Sequence, residues 1–282
     1  MVFISPVKDS DDWKYCIDSE RPDLEHFPKD VPNTWITLGD CTDKWITISS
    51  EYAKTKLLPF IVEKLRERDS NQILFHGYDD FGSKEREWHL KEECTKIAEL
   101  LFTALNESDV KFRHMKIGYY GVPSKDFVAR QIETSNFDGL HLYGAWPNGG
   151  IELINSYLQR FDKASIWLSS MNEVAVSQEL FDALFSRFMN AKLYLSGLHG
   201  KLDFDISYLQ NLNPELHVTF KKNEGKNIMT WKSPIDCRYY FHVEFLEDSK
   251  VEIFCVSVGL CQCRKRDRRM PHKLSKQNRL LL

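Results

Sequence analysis

Five three-residue segments of this chain share one strand-like pattern, an inner residue flanked by two apolar ones. They are Met115-Lys116-Ile117, Leu140-His141-Leu142, Ile166-Trp167-Leu168, Leu193-Tyr194-Leu195 and Leu216-His217-Val218, separated by steps of 25, 26, 27 and 23 residues. A period in the twenties with one strand and one helix per step is the mark of a stacked array. The expected class is therefore α/β, an irregular leucine-rich-repeat-like array of parallel strands and helices. Irregularity is expected because 18 phenylalanines occupy many places that leucine fills in a strict repeat. Arrays of this kind present extended binding surfaces.

The amphipathic stretches between these segments fit that scheme. Leu90, Ile97, Leu101 and Leu105 follow the rhythm of a helix over 86–106. Phe127, Val128 and Ile132 mark a second helix, begun by Ser124 as N-cap. Ile151, Ile154, Tyr157, Leu158 and Phe161 mark a third. Leu180, Phe181, Leu184, Phe185 and Phe188 mark a fourth, opened by Ser177 with Glu179 in its first turn. An earlier strand copy is expected at Ile73-Leu74-Phe75.

Outside the array the expectations are looser. Residues 1–69 read as an irregular N-terminal segment broken by Pro6, Pro22, Pro28 and Pro32, with at most a short helix at 13–17. Within it, Trp35-Ile36-Thr37-Leu38 and Trp45-Ile46-Thr47-Ile48 suggest a hairpin or two adjacent strands, before a helix that Pro59 kinks. The array proper spans 70–236. Residues 237–263 read as a C-terminal β-hairpin cap, which a terminal repeat needs to cover its apolar edge, and 264–282 as a basic disordered tail.

Alternation along a strand sets residues on opposite faces. With Ile117, Leu142, Leu168, Leu195 and Val218 toward the helices, Lys116, His141, Trp167, Tyr194 and His217 point away and form one ladder across the open face. Rings with polar edges carry binding energy in protein interfaces, so these five are the candidate protein-binding residues. The competing reading is that another part of the chain covers them. Trp146 and Trp231 are expected as loop anchors.

Charge narrows the partner. The net charge is −3, but residues 264–282 carry eight Lys or Arg against one Asp, leaving −10 on the rest of the chain. An acidic body disfavours nucleic acid as ligand of the folded part, because phosphate binding rests on Lys and Arg contacts. The basic tail has the composition of a nuclear-import or acid-surface patch. Seven scattered cysteines, an odd number, fit reduced thiols in the cytoplasm or nucleus. Neither a signal peptide nor a membrane span is expected.

The sequence holds no phosphate loop, dinucleotide fingerprint, nucleophile elbow or zinc-protease helix, so no enzymatic activity and no cofactor are expected. Cys255, Cys261, Cys263 and His272 could supply zinc ligands, but their spacing matches none of the common structural sites; Cys255 reads as a buried strand residue instead. An alternative is an enzyme with dispersed residues on loops at the carboxyl ends of the strands, for which Asn148, Ser169, Ser170 and His199 are the candidates.

The stretch from Ser124 to Pro147, with its Phe-x-x-Leu-x-Leu-x-Gly strand and Trp-Pro loop, resembles the C-terminal domains of the nematode F-box-associated families. The likeness runs over about residues 70–256. It implies an α/β substrate-recognition array that works beside an F-box docked on the Skp1 adaptor of a cullin ubiquitin ligase. Residues 1–34, Pro-broken and acidic, depart from the apolar helices of an F-box.

Overall fold

The computed structural model describes residues 2–7, 10–17, 35–38, 45–66, 71–75, 92–136, 138–144, 146–147, 149–168, 174–217, 227–246 and 250–257. At the N-terminal end Val2 and Ile4 are buried, as are Trp13 and Tyr15. Two residues apart, such pairs share a face in a strand and lie on nearly opposite sides of a helix. Accordingly β1 (Val2–Pro6) and β2 (Trp13–Ile17) are strands, paired antiparallel with Val2 opposite Ile17. This corrects the expected irregular start and its short helix.

The expected hairpin is corrected too. β3 (Trp35–Leu38) lies parallel between β1 and β5 (Asn71–Phe75), while β4 (Ile46–Ile48) pairs with β2 on the other side of β1. Long-range partners, rather than sequence neighbours, satisfy the backbones of both strands. After β4, Ser49 caps α1 (Ser50–Tyr52), its side chain accepting from the Tyr52 N–H at 3.1 Å. A π-turn over Ala53–Leu57 then leads into α2 (Leu58–Arg66). Pro59 lacks an N–H and its ring crowds the carbonyl four residues back; the wider turn directly before it is where the helix accommodates that ring.

The central part alternates regularly. It contains α3 (Glu92–Asn106), β6 (Phe112–Gly118), α4 (Val122–Thr134), β7 (Gly139–Tyr143), α5 (Gly149–Arg160), β8 (Ala164–Leu168), the short β9 (Ala175–Val176), α6 (Gln178–Met189) and β10 (Leu193–Leu202), followed by α7 (Ile206–Asn211). The apolar stripes expected on α4 and α6 are buried. Ser177 caps α6 by accepting from the Leu180 N–H at 3.2 Å. Ser124 is not the cap of α4, which is a further correction. The helix starts earlier, after Gly121 at φ +84°, a conformation that favours glycine. The buried Ser124 hydroxyl donates to the Gly121 carbonyl at 2.7 Å and accepts from the Tyr120 N–H at 3.0 Å, fastening that turn.

Strands β1, β3, β5, β6, β7, β8 and β10 pair in that order, all parallel. Each new parallel strand is added on the same side of the one before. Crossovers of one hand that advance in one direction collect their helices on one face of the sheet. The helices do pack side by side, α2 on α3, α3 on α4 and α4 on α5. Polar ties join each unit to its predecessor: Arg113 to Asp138 at 2.8 Å, Lys125 to Glu152 at 2.9 Å, Lys192 to Asp162 at 2.6 Å, and the Arg187 guanidinium to the Leu158 carbonyl.

The fifth repeat is corrected. Pro214–Leu216 forms a 3-10 turn, and His217 makes a single antiparallel bridge to Trp231; Val218 lies outside the described residues. The place beside β10 is taken by β13 (Lys250–Ser257), which pairs antiparallel with β10 and with β12 (Tyr239–Phe245), itself antiparallel to β11 (Asn227–Lys232). Strands from 1–69, 70–236 and 237–263 belong to one sheet. Trp231 is a fully buried strand residue of β11, not a loop anchor, and its indole donates to the Leu212 carbonyl at 2.8 Å. Its ring joins Phe181, Phe185, Phe188 and Phe241, with neighbouring centroids 5.3–6.2 Å apart, in an aromatic core between α6 and the antiparallel strands. The tail over 264–282 lies outside the described residues.

Candidate functional site

Register decides which ladder residues meet. Lys116 stands opposite His141, and His141 opposite Trp167, so these three form one row on the face away from the helices. The row does not continue to Tyr194. An irregularity between Leu195 and Gly197 shifts the β10 register, and Trp167 pairs with Gly197 while Tyr194 pairs with Ser165. Tyr194 therefore belongs to the adjacent row, with Ser165, Gly139 and His114. His217 is on neither row: it packs on the edge of Trp231 at 5.6 Å. The single five-residue ladder is thus corrected to two short rows. A strand added antiparallel beside β10 and the extra residue in β10 are both invisible to a count of the period.

The first row is organised around Trp167. Its indole meets Tyr143 edge-on at 4.7 Å and His141 at 5.9 Å. A Cβ on Gly197 would stand 3.3 Å from the indole Cδ1 and Nε1, so the absence of a side chain there leaves the ring room to lie toward β10. Tyr194 is 44% exposed, with its ring 6.1 Å from Tyr239. Lys116, His141 and Trp167 are all partly exposed.

Burial, then the charge of Lys116 and the neighbouring His114, pushes the His141 imidazole down to about 4. His141 is neutral at neutral pH. Its Nδ1 is buried and has no hydrogen-bond partner among the described residues. His114 is lowered as well, chiefly by burial, against the pull of Asp138.

Further along the open face His199, expected in a loop, lies within β10 and pairs with Glu252 of β13 at 3.3 Å. Beyond it His242 shares a hydrogen bond of 2.9 Å with Thr230 Oγ1 and stacks on Phe254 at 5.1 Å. His199 is expected from the sequence only as a loop residue, and Glu252, His242, Thr230 and Phe254 are not selected from it. Their alternation in β12 and β13 was the available signal, since Glu252, Phe254, His242 and Glu244 fall between buried Val251, Ile253, Val243 and Phe241.

No family model, curated protein or solved structure matches this chain. Its chemistry is read from its own residues. Among the described residues no three His, Cys, Asp or Glu side chains converge as metal ligands. Cys255 is a partly buried strand residue whose thiol burial pushes up to about 12; Cys261, Cys263 and His272 lie outside the described residues, as do Asn148, Ser169 and Ser170. Trp146 is a loop anchor in full: buried, its indole donating to the Ile117 carbonyl at 3.2 Å and its ring 5.2 Å from Tyr119. No helix among the described residues is long and apolar enough to cross a membrane.

Proposed function

We propose that the chain is a non-enzymatic protein-binding module whose contact surface is the open sheet face around Lys116, His141, Trp167 and Tyr194. The observation that carries this reading is the row itself: three long side chains in register on adjacent parallel strands, partly exposed, around a tryptophan. Interfaces concentrate their energy in such aromatic anchors. The strand order also favours it. α/β sheets that act on small ligands open a crevice where the order reverses, and the parallel strands here advance in one direction.

In this reading the architecture is an irregular leucine-rich-repeat-like array, and the antiparallel strands β11–β13 close its end. The protein works in the cytoplasm or nucleus without a cofactor, and the resemblance to F-box-associated domains assigns it to substrate recognition in a cullin ubiquitin ligase. Affinity capture from cell extract with wild type and a Trp167→Ala, Tyr194→Ala double variant tests it. A folded double variant that loses the captured partners supports the reading, and recovery of Skp1 or a cullin with wild type supports the ligase context. Unchanged capture, or a double variant that fails to fold, overturns the binding role of the face.

A further inference from the structure

The row Lys116–His141–Trp167 has a chemical asymmetry. Among the described residues Lys116 makes no hydrogen bond or ion pair, and the Trp167 indole N–H donates to no acceptor. His141 is neutral, with Nδ1 sealed away from both solvent and partner. An N–H buried without an acceptor costs more than a buried lone pair, so the imidazole proton is assigned to Nε2, the nitrogen able to meet a ligand. Three nitrogen donors thus lie on paired residues of adjacent strands, whose backbones run about 4.8 Å apart, with the His141 and Trp167 rings 5.9 Å apart. Asp138 is paired with Arg113 at 2.8 Å, and the Glu252 carboxylate stands 3.3 Å from His199 Nε2.

Resting on the binding role of this face, we infer that the row receives an acidic segment of a protein partner, its carboxylates accepting from Lys116 Nζ, His141 Nε2 and Trp167 Nε1. An ionised carboxylate is an acceptor-only group and complements a donor-only row. The exposed ring of Tyr194 in the adjacent row suits the apolar parts of such a segment. A nucleic acid is the poorer occupant. Its affinity comes from many cationic contacts, whereas this row holds a single lysine.

The test uses the full chain and follows the Trp167 indole N–H resonance, assigned by its loss in Trp167→Phe. Hexaglutamate, hexalysine and a six-residue thymidine oligonucleotide are the probes. Hexaglutamate is expected to move the Trp167 resonance and hexalysine to leave it in place. Lys116→Gln, a conservative change on a partly exposed side chain, is expected to weaken the hexaglutamate effect by about tenfold or more, the scale of a charge-assisted hydrogen bond. Binding confined to the basic tail leaves the Trp167 resonance unmoved and overturns the proposal. So does an equal response to hexalysine, a stronger response to the oligonucleotide, or an unchanged response in Lys116→Gln. If hexaglutamate fails while the Trp167→Ala, Tyr194→Ala variant still loses its captured partner, the acidic specificity alone falls; if both fail, the face has no binding role.

Discussion

Ile166 and Trp167 are neighbours in β8 and look out on opposite faces of the sheet. Ile166 is fully buried beneath the helices, in a row with Leu140 and Leu195 in which every side chain is apolar. Trp167 is partly exposed, in a row with a lysine, a histidine and a glycine. The helix face is filled by shape, and any residue of the right volume and apolarity satisfies it. The open face carries polar and aromatic side chains, which the proposed binding role would use. Two neighbouring residues of one strand thus separate what holds the protein together from what it offers outward.

That contrast is broken most severely from the helix side. Phe181 is fully buried, with Phe185, Phe204 and Phe241 around it at 5.6–6.1 Å. Phe181→Ala is expected to destabilise by about 3–5 kcal/mol, read as a lowered urea midpoint. A loss under about 1 kcal/mol would mean that the aromatic core is not what joins α6 to the antiparallel strands.

His141 lies between the two regimes, and acid separates them. The unfolded imidazole takes up its proton near 6.5, whereas the folded one stays neutral down to about 4. Stability is therefore lost as pH falls through that window, and it is unaffected above it. His114 and His242, also lowered chiefly by burial, act in the same direction. The difference between wild type and His141→Gln isolates the His141 share: chemical denaturation at pH 7 and pH 4.5 should show the variant losing less. Equal losses in the two proteins would place His141 among solvated side chains.

The smallest effect is expected for Tyr194→Ala. At 44% exposure, and outside the helix-side core, the side chain should contribute within about 0.5 kcal/mol. A thermal melt displaced as far as that of Phe181→Ala would erase the distinction between the faces.

Much of the α/β layout could be read from the chain because strand and helix periods alternate openly from Met115 to Leu195. The stripe Leu180, Phe181, Leu184, Phe185, Phe188 falls on one side of a helix whatever it packs against. Elsewhere the deciding facts are long-range. Val2, Ile4, Trp13 and Tyr15 alternate correctly for strands, but their partner strands are not next to them in sequence, and prolines nearby suggested irregularity. Leu216-His217-Val218 has the composition of a further strand; Pro214 starts a tight turn there, and β13 holds the place beside β10. For the site, the row of Lys116, His141 and Trp167 follows from alternation alone. The displacement of Tyr194 does not, because it arises where β10 changes register against β8 on its way to pairing with β13.

The ties from Arg113 to Asp138, Lys125 to Glu152, Lys192 to Asp162 and Arg187 to Leu158 span 25 to 30 residues and reach no farther than the adjacent unit. A chain fastened in this way can change length in whole modules. Duplicating or deleting one strand–helix unit between β6 and β10 would leave each remaining unit with a neighbour of the same kind to hold. The width of the open face is thus a quantity that duplication of a unit can adjust.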